Sequence, residues 1–126
     1  MDAVSPFLSI PEDVWLASNA LTFAFFDTNP TSPGHALIVP RRPIASWFDA
    51  SADEQTAALA LLGSVKRELG RRFKPHGYNV GFNDGAAAGQ TVFHAHLHVI
   101  PRYTNDVIDP RGGVRHAVIG RGYYGN

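Results

Sequence analysis

The sequence predicts an α+β domain built on a mainly antiparallel sheet. Two apolar, aromatic-rich segments, 21–27 and 35–40, flank a turn rich in proline and glycine. One long segment from Ser51 to Lys74 has helical periodicity. A second pair of extended segments, 78–83 and 90–102, follows with a permissive loop between them. Strands, then one helix, then a hairpin is the order of an α+β layer.

Each element follows from local chemistry. Residues 1–13 hold Pro6 and Pro11 among scattered apolar residues and read as a loose lead-in. Residues 14–17 are a short extended candidate, and Asn19 and Ala20 a turn. Residues 21–27 (LTFAFFD) alternate poorly but are rich in strand formers. Pro30, Pro33 and Gly34 punctuate the turn before the apolar strand 35–40, which pairs antiparallel with 21–27. Residues 46–49 form a brief second helix. Ser51 with Glu54 is a capping box. Ala58, Leu62, Val65, Leu69 and Phe73 make one apolar stripe, Arg71, Arg72 and Lys74 suit the negative helix end, and Pro75 and Gly77 stop it. Strand 78–83, loop 84–89 and strand 90–102 form a hairpin. In the tail, 109–114 is turn-like, 115–119 a short strand or ordered arm, and 120–126 mobile.

Composition narrows the function. At 126 residues, 44% hydrophobic and 11% aromatic, the chain suits one packed domain. Eleven basic and eleven acidic residues balance, so bulk charge draws no nucleic acid, although a local site could hold a small anion. The absence of cysteine excludes disulfides, thiolate nucleophiles and cysteine-containing zinc sites. Residues 1–6 lack the features of a signal peptide, and no apolar run approaches the roughly 20 residues of a bilayer span. A cytoplasmic protein with no membrane partner is expected.

The chemistry concentrates in residues 90–102 (QTVFHAHLHVIPR). In a strand His94, His96 and His98 share one face and Ala95, Leu97 and Val99 the other, with neighbouring imidazoles about 6.6 Å apart. A core strand has no reason to collect three groups that each need polar partners. A metal site and a catalytic use of imidazole both remain open. The loop 84–89, with no phosphate-binding lysine after it, leads into Gln90 and Thr91. Loop amides, that side-chain amide and that hydroxyl could hold phosphate oxygens, with His98 as a further donor and the anion against His96.

These residues closely resemble the signature of the histidine triad (HIT) superfamily, His–apolar–His–apolar–His–apolar–apolar. The lead-in at 88–92 and the exit Pro101–Arg102 are similar to the fragile-histidine-triad branch and related bacterial diadenosine polyphosphate hydrolases. Residues 33–40 (PGHALIVP) look like that family's second recognisable segment. The resemblance covers about residues 10–103 and extends to the tail at 109–114.

The resemblance implies a five-stranded sheet with one main and one short helix, as a single domain spanning 1–126 with a core at about 10–103 and a C-terminal arm at 104–126. It implies a homodimer. It also implies nucleotidyl hydrolysis or transfer, with His96 attacking the α-phosphorus of a nucleotide-bearing substrate to give a covalent nucleotidyl-histidine that water releases. A backbone carbonyl, that of His94, would set the His96 tautomer. His98 would serve the phosphate and leaving group, with His94 and His35 as supports. Gln90 and Thr91 would steady the phosphoryl oxygens, Asp27 the ribose, and Asn83 nucleotide or phosphate. Ile10, Phe23 and Phe25 are candidates for a base pocket and equally for ordinary core. His76 and His116 lie outside the motifs and read as surface residues.

Dinucleoside polyphosphates are the expected substrates. The alternatives are an adenosine 5′-phosphoramidase, a phosphorylase, and a nucleotide-binding module of low turnover, against which the complete triad argues. A histidine metal site is disfavoured by the specific lead-in. No tightly bound cofactor and no protein-held metal are expected, with Mg2+ admitted only on the substrate phosphates.

Overall fold

The computed structural model describes residues 4–124. Five strands, β1 (Ala17–Ser18), β2 (Thr22–Phe26), β3 (Ala36–Pro40), β4 (Gly77–Gly81) and β5 (Leu97–Arg102), form one antiparallel sheet in the order β1-β2-β3-β5-β4. Every neighbouring pair is antiparallel, with Phe25 opposite Leu37, and His98 opposite both Leu37 and Gly81.

The two faces of this sheet explain why β2 and β3 are apolar throughout. Side chains alternate between faces along a strand. Ala24, Ala36, Ile38, Leu97 and Val99 pack on one side against the helix residues Ala58, Leu61, Val65 and Leu69. Phe23, Phe25, Leu37 and Val39 pack on the other side with Phe7, Ile10 and Trp15 of the N-terminal segment. Residues of β2 and β3 are therefore covered twice. In β5 the burial alternates, with Leu97, Val99 and Pro101 inside and His98, Ile100 and Arg102 only half-buried. The second cover ends there, and the histidines lie at that boundary.

The helix α1 (Ala52–Phe73) begins with the expected capping box: Ser51 accepts from the Glu54 amide and Glu54 accepts from the Ser51 amide. It ends at Lys74 in the left-handed conformation, just before Pro75. Its buried stripe is centred on Leu61, with Leu62 at the margin, one position from the expected line. Glu54 is 6% exposed and pairs with Arg42 at 2.6 Å. Arg71 and Arg72 are taken by Glu68 on the helix itself, consistent with a capping and solvated role.

Several expectations need correction. Residues 14–17 are not one strand: Val14 ends a 3-10 turn and the strand is Ala17–Ser18. The lead-in holds 3-10 turns at Pro6–Ser9 and Glu12–Val14. The brief second helix is present, as a 3-10 turn Trp47–Asp49 capped by Ser46. The strand read as 90–102 begins only at Leu97, so 82–96 is a long connection and not a tight hairpin. Its members bond elsewhere: the Ala95 amide donates to the Ile44 carbonyl at 2.7 Å, and the His94 ring to the Pro40 carbonyl at 2.7 Å. Of the short strand or ordered arm expected at 115–119, the structure has no strand but an arm that opens with a 3-10 turn, Gly113–Ala117. Beyond it, Tyr123 packs on His116 at 4.4 Å between centroids and donates to the Asp109 carbonyl. The expectations for 1–3 and 125–126, a loose start and a mobile end, lie outside the described residues.

Candidate active site

Four imidazoles converge where the N-terminal segment, the start of β3, the start of β5 and the connection 82–96 meet. Gly34 delivers His35 to this point. Its φ is +88°, which strains any side chain, and a Cβ there would stand 3.0 Å from Phe73 and 3.2 Å from Pro101, both of which would have to give.

The His94–His96 pair is governed by carbonyls. His94 is fully buried. Its Nε2 lies 2.7 Å from the Pro40 carbonyl, which only accepts, so Nε2 carries the proton. Its Nδ1 is then a lone pair, filled by the Ser5 hydroxyl at 2.6 Å. The His94 backbone carbonyl in turn takes the His96 Nδ1 proton at 2.7 Å. That leaves His96 Nε2 as an unprotonated lone pair. Burial lowers the His94 pKa, with the bond to Pro40 opposing and the His96 charge assisting, so the ring stays neutral.

The His35–His98 pair is governed by an amide. The Thr31 N–H donates to His35 Nδ1 at 3.1 Å, so the His35 proton sits on Nε2. That nitrogen is 2.9 Å from His98 Nδ1, which must accept, so the His98 proton sits on its Nε2. Asp27 Oδ2 stands 3.5 Å from His35 Nε2. Burial lowers the His35 pKa against the pull of Asp27. It pushes His98 down to about 4, with the charges of His96 and His35 adding and Asp27 opposing. The rings of His96 and His98 meet edge-on at 5.0 Å. Side by side, one presents a lone pair and the other a proton.

Both rings line a cleft of about 430 Å³. Asp27, Asn83 and Thr91 line it too, as do Ile10 and Phe25 from the suggested base pocket. Phe23 does not; it is stacked on Trp15 at 4.2 Å within the core. His94 and His35 are buried and do not line this cleft themselves. His76 accepts from the Thr104 amide and His116 bonds the Arg111 carbonyl, both away from it.

Gln90 is placed differently from its expected phosphoryl contact. It is 5% exposed, and its amide is spent on the loop. Its oxygen accepts from the Gly85 amide at 2.8 Å, and its nitrogen donates to the Ala45 and Val92 carbonyls at 2.8 and 3.1 Å. It braces the connection from below. Asp84 helps by accepting from the Ser46 hydroxyl and the Trp47 amide.

Sequence reasoning missed Ser5, Phe7 and Thr31. Phe7 packs on both His94 and His96, at 5.4 and 5.1 Å between centroids. The only signal for Ser5 was a serine before a proline, an ordinary helix-start pattern.

Asp27, His35 and His98 also offer ligand atoms that lie within 4.8 Å of one another. The Thr31 amide puts a proton on His35 Nε2, where a metal would need a lone pair. The donors as arranged do not fit a resident ion.

A family model described as HIT domain matches residues 9–105. An adenosine 5′-monophosphoramidase of Schizosaccharomyces pombe is 40% identical over 71% of this chain and 64% of its own length. An AP-4-A phosphorylase of Mycobacterium tuberculosis is 34% identical over 80% of this chain and 52% of its own. The solved structure of Plasmodium falciparum diadenosine triphosphate hydrolase is similar with a TM-score of 0.72 and 27% identity, over 79% of this chain and 68% of that one. The chain spans between 47% and 79% of the length of such curated relatives, in most cases less than two thirds. Among the described residues no helix is long and apolar enough to cross a membrane.

Proposed function

The chain belongs to the HIT domain family, and on that premise we propose that it is a nucleotide hydrolase or transferase acting at the α-phosphorus of a nucleoside-monophosphate-linked substrate, a dinucleoside polyphosphate first among them. The observation that carries it is the His96 tautomer: Nδ1–H is tied to the His94 carbonyl, and the Nε2 lone pair is free to attack.

In the first step His96 Nε2 bonds to the α-phosphorus and the bond from phosphorus to the leaving group breaks. The ring becomes a nucleotidyl-imidazolium, its charge eased by the carbonyl on Nδ1. The leaving group departs with the bonding pair, steadied by the His98 Nε2–H. In the second step water attacks phosphorus, the P–N bond breaks, the nucleotide leaves and the proton passes to solvent. Phosphate in place of water would give a phosphorylase. Thr91 and Asn83 would contact the phosphoryl oxygens, Asp27 the ribose, and Ile10 and Phe25 the base. Gln90 would act through the loop it braces. Mg2+, where used, would ride on the substrate phosphates. The enzyme would be cytoplasmic and a homodimer.

A phosphoramidate is the second reading, favoured by the relative named for that activity, because it carries the same nucleotide half and differs only in the atom that leaves. Single turnover with a labelled dinucleoside polyphosphate tests the mechanism. An acid-labile adduct on the protein, absent in His96→Ala, is expected; an adduct that survives the substitution overturns the assignment. Parallel rates with an adenosine phosphoramidate decide the leaving group.

A further inference from the structure

Ser5 stands far from the histidine motif in sequence, yet its hydroxyl lies 2.6 Å from His94 Nδ1 and also accepts from the Phe7 amide at 3.2 Å. We propose that Ser5 is a positioning residue, whose hydroxyl proton locks the His94 ring and, through the His94 carbonyl, the reactive tautomer of His96. The proposal rests on the reading of His96 as nucleophile.

The chain of bonds leaves little freedom. His94 has no solvent to turn to. With the Pro40 carbonyl demanding a proton on Nε2, Nδ1 must find a donor, and the Ser5 hydroxyl supplies it. Both ring nitrogens are then bonded and the ring plane is held. Those two bonds anchor the side chain of residue 94, whose own backbone carbonyl is the acceptor for His96 Nδ1–H. If an anchor is lost, residue 94 is free to shift, and its carbonyl holds the His96 proton on Nδ1 less firmly.

The second bond of Ser5 adds to this. By accepting from Phe7 N–H it caps the turn Pro6–Ser9 and sets the Phe7 ring edge-on against His96, 5.1 Å away at an interplanar angle of 78°. One hydroxyl thus holds His96 from two sides, by hydrogen bonds through His94 and by packing through Phe7. Capping needs only an acceptor. The tautomer lock needs a donor. The two roles can be separated.

Three variants in the full chain separate them. Ser5→Thr keeps donor and acceptor. Ser5→Ala loses both. Ser5→Asp keeps an acceptor for the Phe7 amide but, ionised, has no proton to give. The readouts are kcat and KM for nucleotidyl transfer and the 15N shifts of the His94 and His96 imidazoles, which distinguish protonated from bare ring nitrogens without any turnover. Expected are kcat losses of about 10- to 100-fold in Ser5→Ala and Ser5→Asp, as a misplaced nucleophile produces, and near wild-type kcat in Ser5→Thr. The His96 shifts of the first two variants move toward a mixture of tautomers, and the His94 ring of Ser5→Asp takes up a proton at higher pH than in the wild type. The proposal is overturned if Ser5→Asp retains the wild-type kcat and His96 shifts, since capping alone would then account for Ser5. If the His96 shifts respond as expected but the wild type turns over no nucleotide substrate, the lock stands and the proposed function fails.

Discussion

The two histidine pairs are built from the same parts and end in opposite chemistry. In the His94–His96 pair every external partner of the protonated nitrogens is a carbonyl, so protons are drawn inward and the outermost nitrogen, His96 Nε2, is left bare. In the His35–His98 pair the external partner is an amide N–H, so the proton is pushed outward along the pair until it rests on His98 Nε2. Edge to edge, one ring presents a bare nitrogen and the other an N–H, the two ends that the proposed mechanism uses as nucleophile and donor. The lesson is that identical side chains take different roles from the backbone groups behind them and not from their place in the motif.

The largest effect should come from breaking the bare end. His96→Asn removes the nucleophilic nitrogen while keeping a polar side chain, and turnover should fall by about 10⁴-fold or more, with no covalent adduct in quenched single-turnover assays. Breaking the protonated end is milder and depends on the substrate. His98→Ala should slow a phosphate leaving group by about 10²- to 10³-fold, because the Nε2–H steadies the charge that develops on it. A nitrophenolate, which spreads its charge over the ring and needs that bond less, should be slowed much less. Equal losses for both leaving groups would place His98 in binding alone.

Gln90 sharpens the comparison from outside. Because its amide is bound to Gly85, Ala45 and Val92, Gln90→Ala should lower stability by about 1–3 kcal/mol and Tm by roughly 5–10 °C. KM measured well below the new Tm should change little. A large KM rise with an unchanged Tm would restore Gln90 to the phosphate.

The smallest and most graded effect is that of pH. His35, His94 and His98 all have folded pKa values below the ordinary 6.5, so the unfolded chain binds protons that the folded chain refuses. Their contribution is full above pH 6.5 and lost as pH falls, for His98 completely once below about 4. Glu54, held at about 2 by the Arg42 guanidinium and the Ser51 amide, adds a second loss between about 4.5 and 2. Urea midpoints should therefore decline steadily from pH 7 to pH 3. A midpoint that stays level from 7 to 4 would mean the imidazoles are not buried neutral.

Much of this architecture can be read in the chain because the signals are local. The paired strands 22–26 and 36–40 follow from apolar runs around a proline–glycine turn, and α1 from a capping box whose two partners are three residues apart. Asp27, Asn83, Thr91, His96 and His98 reach one cleft. What escaped depends on distant partners. Strand β5 starts late because Ala95 and His94 bond to Ile44 and Pro40, so His94 and His96 precede the ladder that His98 joins. A glutamine beside a phosphate-binding motif reads as a ligand contact, and only the fold reveals Ala45 beneath it. Ser5 is 89 residues from His94, and nothing near either residue announces the bond.

The opposite polarity of the two rings is directly measurable. In wild-type protein with 15N-labelled histidine at pH 7, long-range proton–nitrogen spectra should show His96 protonated at Nδ1 and bare at Nε2, and His98 bare at Nδ1 and protonated at Nε2. The same tautomer on both rings, or a doubly protonated His98 at that pH, would contradict the division into nucleophile and donor.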